Sequence, residues 1–226
     1  MCGRYTLTKQ ERRLQEYFGL TERLPFEPRY NIAPTQEAPV ILMENAPQRR
    51  LMRWGLIPFW AKDETIGPKL INARSETLLE KPSFCKAFER RRCLVIADGF
   101  FEWTKTKGGK SPVRIVLKDP EPFALAGLWE KWRSPMGHEV ESFTIITTAA
   151  NDLIAKVHDR MPAILPEANY EQWLDLQSTN LKGLQTLLHP YAADEMELYP
   201  VNPAVNNPRQ DSPECVEPLA TPDLLG

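Results

Sequence analysis

The sequence predicts one sheet-rich domain with a few short helices beside the sheet. Three observations carry that prediction. The 226 residues include 21 prolines, against an average of about 5% of a chain, and many follow short apolar runs, as in a sheet body joined by rigid loops. Short strand-like runs at 93–97, 113–117, 123–128 and 143–148 recur with turn residues between them. No internal repeat and no linker of disordered composition divides the chain, so residues 1–226 read as a single domain.

Composition narrows the function classes. The chain is 42% hydrophobic and 26% charged, as a globular protein is. Its formal net charge of −2 argues against coating nucleic acid through overall charge and leaves a local basic groove open. No run approaches the ~18–20 apolar residues of a membrane-spanning helix, and the start, with Arg4, Lys9, Glu11, Arg12 and Arg13, is too polar for a signal peptide. A cytoplasmic, nucleoid-associated protein without a membrane partner is expected. Cys2, Cys85, Cys93 and Cys215 lie far apart without a C-x-x-C pair, so free thiols and no zinc site are expected.

Taken in order, residues 2–7 read as a strand. Thr8 and Glu11 fit a capping box for a helix whose apolar face holds Leu14, Tyr17 and Phe18, with Gly19 closing it. Residues 29–34 are extended and end at Pro34, and 39–43 form a strand. The stretch 48–60 begins as a strand and then turns. Its Trp54, Phe59 and Trp60 suit either a core corner or a stacking shelf for unpaired bases. In an extended 70–76, Asn72, Arg74 and Glu76 share one face. Ser83 can cap a helix through about Arg92, with Phe84 and Phe88 on its buried side and Arg90, Arg91 and Arg92 as a solvated C-terminus suited to the helix dipole.

A buried strand at 93–97 turns at Asp98-Gly99 into a strand through Trp103. Glu102 stands between Phe101 and Trp103 and so points to the opposite face. It is either a shielded carboxylate with a raised pKa, suited to moving protons, or an exposed Glu on a half-buried strand. A hairpin tip falls at 107–110. Asn151 can cap a short helix, and His158, followed by Asp159 and Arg160, is the one of three histidines with polar company suited to acid–base work. Short helices are expected at 167–174 and 181–188. An extended, proline-rich tail follows from about 200 to 226.

Cys2 carries the most distinctive chemistry. With Met1 trimmed, Cys2 would hold a free α-amine beside its thiol. The amine titrates at about 7.7–8.0 and the thiol at about 8.5, so each is partly nucleophilic at cellular pH. Such a 1,2-aminothiol condenses with an aldehyde to an imine and then closes a thiazolidine ring. The alternative is a small buried side chain near the chain start.

Seven motifs in order point further. They are Met1-Cys2-Gly3-Arg4, Tyr30-Asn31-Ile32-Ala33-Pro34, Trp54-Gly55-Leu56-Ile57-Pro58 and Asn72-Ala73-Arg74-Ser75-Glu76-Thr77. Asp98-Gly99-Phe100-Phe101-Glu102-Trp103, Thr147-Thr148-Ala149-Ala150-Asn151 and His158-Asp159-Arg160-Met161-Pro162 complete the set. Over nearly its whole length the chain resembles the SRAP family, the SOS response-associated peptidases, understood as abasic-site processing proteins that cross-link to DNA. One departure is Phe101, where the family often has tyrosine.

The resemblance implies an α+β fold, a single domain with an antiparallel, barrel-like sheet body and peripheral helices. It implies a catalytic set of Cys2, Asn72, Glu102 and His158. Cys2 attacks the opened sugar, Asn72 orients the sugar or the amine, Glu102 moves protons, and His158 bonds the sugar hydroxyl. It implies that Arg4 and Arg74 grip flanking phosphates, that Asn31, Trp54, Pro58 and Trp103 receive the strand, and that Thr147 orients His158. The implied partner is single-stranded DNA with abasic sites, including single-to-double-strand junctions at stalled forks, bound by a monomer without cofactor or metal. Lyase activity from the imine and removal of Met1 by the protein itself also follow. Two other readings compete: a glutamine amidohydrolase using an N-terminal cysteine, and a non-covalent single-stranded-DNA-binding module with an inert Cys2.

Overall fold

In the computed structural model, residues 2–20, 26–44, 46–106 and 109–219 are described. Met1 and its expected removal, Lys107 and Gly108 of the expected hairpin tip, and tail residues 220–226 lie outside the described residues.

The strands are β1 (Tyr5–Leu7), β2 (Arg29–Ile32), β3 (Glu37–Met43), β4 (Pro47–Trp54), β5 (Asn72–Arg74), β6 (Arg92–Ala97) and β7 (Gly99–Thr106). They continue with β8 (Gly109–Leu117), β9 (Phe123–Arg133), β10 (Glu139–Ala149), β11 (Arg160–Pro162), β12 (Ile164–Leu165) and β13 (Met196–Pro200). The helices are short: α1 (Glu11–Phe18), α2 (Cys85–Arg90), α3 (Tyr170–Leu174) and α4 (Leu181–Thr186).

Five strands close on themselves in the order β4-β3-β6-β9-β10. Four of the seams are antiparallel, and the closing one, β10 to β4, is parallel, with Phe143 opposite Trp54. The α+β, barrel-like architecture is therefore present, with a parallel seam that the expected all-antiparallel body lacks. The length of β10 explains the seam. Along one edge of this 11-residue strand β9 gives way to β11; along the other β4 gives way to β5, also parallel. Every residue of β6 is buried, as its unbroken apolar run requires for a strand with core on both faces. Trp54, Phe88, Phe143 and Trp173 fill the interior, each large ring contributing about 2–3 kcal/mol of burial.

A second, antiparallel sheet runs β13-β8-β7-β1-β2. Thr6, Thr8 and Arg114 converge on the buried carboxylate of Asp98, which joins the sheet to the turn after β6. On the other face the C-terminal segment folds back in two 3-10 turns, Pro203–Asn206 and Pro213–Val216, and buries Val201, Val205 and Cys215 against Phe101.

Two local expectations are corrected. Thr8 does not cap α1: its hydroxyl donates to Asp98 Oδ2 at 2.6 Å, and Glu11 instead forks onto the buried Arg49. Gly19 does close α1, at φ 61°, a conformation that costs glycine little. The arginine run is not a solvated helix end either. Arg90 is exposed, but Arg91 pairs with the buried Glu130 at 2.8 Å. Arg92, 1% exposed, donates to the carbonyls of Phe88, Glu89, Trp173 and Asp175, satisfying helix-end acceptors from within the core.

Candidate functional site

The beginning of the chain runs antiparallel along β7. Tyr5 lies opposite Phe100, and the N–H of Phe101 donates to the carbonyl of Arg4 at 3.0 Å. That register carries the first residues toward Glu102. Cys2 is fully buried, its thiol turned to the Arg4 carbonyl at 3.8 Å.

Asn72 reaches Cys2 from β5. Its Nδ2 donates to the Cys2 carbonyl at 2.8 Å, while its buried Oδ1 has no hydrogen-bond partner among the described residues. Two positions on, Arg74 is exposed, and its side chain makes no hydrogen bond or salt bridge among the described residues. Glu76 has left the strand for a 3-10 turn and pairs with Arg160.

Strand alternation sets Glu102. Phe101 and Trp103 join the outer cluster beneath the C-terminal segment, and Glu102, 5% exposed, faces the other way. Burial pushes the Glu102 carboxyl above the usual carboxylate range, with the nearby His158 pulling back. Burial likewise pushes the Cys2 thiol upward, and the charge of Glu102 adds to that. These mutual effects place Cys2, Glu102 and His158 in one neighbourhood.

His158 is half-buried just before β11. Its Nδ1 accepts from the N–H of Arg160 at 2.9 Å and lies 2.9 Å from Asp159 Oδ1. Nδ1 is thereby turned to the backbone and side chain of its own loop. Arg160 is itself fixed by a fork onto Glu76, at 2.6 and 2.9 Å, and by the Thr147 carbonyl at 2.7 Å.

Four of the expected site residues are buried away from solvent. Trp54 is fully buried between Tyr5 and Phe143, its Nε1 donating to the Ile71 carbonyl at 2.9 Å beside Asn72. Pro58 is buried too. Thr147 is fully buried, and its hydroxyl donates to the Ala73 carbonyl at 3.5 Å; it bears on His158 only through its own carbonyl and Arg160. Asn31 is fully buried under the C-terminal segment. These four support the site from beneath.

Arg4 and Trp103 remain at the surface of the site. Arg4 lies 5.9 Å from the ring centre of the half-buried Trp103, whose Nε1 donates to Asn206 Oδ1 at 2.7 Å. Phe59 and Trp60, 54% and 47% exposed, stand out where Trp54 and Pro58 do not. The signal for them was Gly55. At φ 120° it turns the chain out of β4, close against Gly67, so the aromatics after the turn reach solvent and the one before it does not.

A family model described as SOS response associated peptidase (SRAP) matches residues 1–208. The chain belongs to the SRAP family. The abasic site processing protein YoqW of Bacillus subtilis is 47% identical over 222 residues, covering 96% of this chain and 99% of that relative. The abasic site processing protein HMCES of Gallus gallus is 31% identical, covering 97% of this chain and 78% of the relative. A solved structure from Bacteroides thetaiotaomicron is 29% identical, with a TM-score of 0.87 over 96% of this chain and all of that one.

In this SRAP domain the segment before β1 brings Cys2, β5 brings Asn72, β7 brings Glu102, and the segment before β11 brings His158. No cluster of His, Cys, Asp and Glu suited to a metal occurs among the described residues. No described helix is long and apolar enough to cross a membrane. The donor set is suited to acid–base steps at a carbonyl carbon next to a sulfur and, once Met1 is gone, an amine.

Proposed function

We propose that this SRAP chain recognises abasic sites in single-stranded DNA and captures them covalently through Cys2. The observation that carries the reading is the setting of Cys2, its carbonyl held by Asn72 and its thiol buried beside Glu102.

Once Met1 is removed, the Cys2 amine attacks C1′ of the ring-opened sugar. The C–N bond forms, the carbinolamine loses one water, and an imine results. The thiol then adds to the imine carbon, and its proton passes to the nitrogen, closing a thiazolidine. The net reaction releases one water. A thiol pKa raised by burial disfavours the thiolate, which suits an order in which the amine attacks first. A raised Glu102 pKa lets its carboxyl hold a proton to lend to the departing hydroxyl and to recover from the protonated imine nitrogen before closure. The unpaired Oδ1 of Asn72 accepts from the amine or a sugar hydroxyl, and His158 bonds the sugar.

Outside the pocket, Arg74 and Arg4 hold flanking phosphates, and Phe59, Trp60 and Trp103 stack unpaired bases. The exposed aromatic pair suits a single-to-double-strand junction, where stacking ends. The imine also admits β-elimination, a lyase side reaction, and the same acid–base set serves removal of Met1. The reaction asks for no cofactor and no second copy of the chain, and its substrate places the protein with intracellular DNA.

The test uses protein with a native, Met1-processed N-terminus and a single-stranded oligonucleotide bearing one abasic site. A denaturant-resistant band at the summed mass less one water, absent in Cys2→Ala, is expected. Folded protein that gives no such band rejects cross-linking, and glutamine hydrolysis would be assayed next.

A further inference from the structure

The C-terminal segment is tied to the residues flanking the reactive end by a dense set of hydrogen bonds, and one buried side chain sits at their centre. Asn31 Oδ1 accepts from Arg4 Nη1 at 2.8 Å. Asn31 Nδ2 is shared by the carbonyls of Val205, Asn207 and Gln210, at 3.2, 3.0 and 2.7 Å. The Val205 carbonyl accepts from Arg4 Nη1 as well, at 2.7 Å. Asp211 covers the open edge of β2, accepting from the N–H groups of Tyr30 at 2.6 Å and Asn31 at 3.0 Å and pairing with Arg29. The ring over which Arg4 lies is held by Asn206.

Arg4 is thus pinned on one side only. Its Nη1 is fixed by two acceptors, while Nε and Nη2 make no hydrogen bond among the described residues. Those two nitrogens form one edge of the guanidinium, the edge that takes two oxygens of a phosphate. We propose that Asn31 is a positioning residue through which the C-terminal segment, residues 201–211, sets Arg4 to receive a DNA phosphate. This rests on reading Arg4 as a phosphate contact. Asn31 has no exposed surface with which to touch DNA. Its effect on binding runs through Arg4, which loses less rotamer freedom on meeting a phosphate because it is already held.

The experiment uses the full, Met1-processed chain and a single-stranded oligonucleotide with a tetrahydrofuran abasic analogue. The analogue has no aldehyde, so it reports reversible binding alone, and the denaturing gel judges the cross-linking reading separately. Affinity is measured across a salt series for wild type, Arg4→Ala, Asn31→Ala and the double variant, with a thermal melt of each. Arg4→Ala is expected to weaken binding about tenfold at low salt and to flatten the slope of log affinity against log salt by about 0.7, one phosphate on a single strand. Asn31→Ala is expected to do the same alone and to add nothing in the Arg4→Ala background.

An equal loss from Asn31→Ala in both backgrounds, or an unchanged slope with only a lower melting temperature, makes Asn31 a packing residue and overturns the proposal. An unchanged slope in Arg4→Ala removes the phosphate contact, and the proposal falls with it. Should Asn31→Ala fail to fold, Asp211→Asn loosens the same segment without touching either side chain. It is expected to cost about threefold in the wild-type background and nothing in the Arg4→Ala background, a difference that only coupling through Arg4 produces. Equal losses in both would again overturn it.

Discussion

Of the fully buried cysteines, Cys93 and Cys2 lie in two regions whose surroundings differ. Cys93 lies in β6 inside the barrel, and Cys2 lies just before β1, bonded to Asn72 of β5. Burial pushes both thiols upward. For Cys93 burial is the whole cause, and its sulfur is packed so closely that a methyl on Gly127 would come within 2.8 Å of it. For Cys2 the charge of Glu102 contributes as well, and an unpaired oxygen of Asn72 is buried beside it. Burial alone therefore does not mark a reactive cysteine. Cys2, which we propose as the nucleophile, differs from Cys93 in having the unpartnered Asn72 Oδ1 on the side chain that bonds its carbonyl, and such an atom is costly unless something completes it.

Substitutions at the two cysteines should separate the regions most sharply. Cys2→Ala is expected to abolish the denaturant-resistant adduct while moving the melting temperature little. Gly127→Ala is expected to cost about 2 kcal/mol through overpacking against Cys93, read as a lower melting temperature in protein that still cross-links when cold. An adduct surviving in Cys2→Ala would erase the distinction.

Glu102→Gln sharpens the contrast within the pocket. Its cross-linking rate is expected to fall about 10²-fold, the low end for losing a positioned acid–base group, with reversible binding of intact strands nearly unchanged. Stability should move the opposite way. A carboxyl raised by burial contributes fully below the ordinary carboxylate pKa, and that contribution is lost as pH rises through the folded-state value. Glutamine has no such loss, so the melting temperature of Glu102→Gln relative to wild type should climb with pH over that window. A pH-independent difference would make Glu102 an ordinary structural carboxylate.

The two tryptophans either side of Gly55 extend the comparison outward. Trp54→Ala should cost about 3–5 kcal/mol of stability, as a filled core position does. Trp60→Ala should leave the melting temperature nearly alone and weaken single-strand binding by about tenfold, near the low end for one stacked base. The smallest effect is expected from Arg74→Ala, a uniform loss across sequences that flattens the salt slope by about 0.7. A base-dependent loss would mean that Arg74 reads something other than phosphate.

What the sequence made legible follows physical range. Strand alternation is local, and it turned Glu102 away from Phe101 and Trp103 with no further information. The buried run of β6 and the stop at Gly19 were local in the same sense. The failures needed partners from far along the chain. Thr8 was expected to cap a helix three residues away, but Asp98 competes for it and wins with an ionised acceptor. Arg92 was expected at a solvated helix end, whereas carbonyls of Trp173 and Asp175 from far along the chain help to draw it into the core. Trp54 and Trp60 look alike in sequence, and the turn at Gly55 decides which is buried. The parallel seam between β4 and β10 had no local signal at all. Asn31 was misread for the same reason, since its acceptors arrive about 175 residues later.

That separation also sets a timetable. Cys2 leaves the ribosome first, yet the groups that surround it come at 72, 102 and 158, and Arg4 waits for a carbonyl 201 residues downstream. At roughly 5–20 residues per second, roughly 10–40 s pass between the emergence of the nucleophile and that of the last residues that hold its neighbour. On the proposed reading, a chain trimmed of Met1 during synthesis carries its amine and thiol before the acid, the orienting amide and the fixed guanidinium exist, and it gains its pocket only near the end of translation.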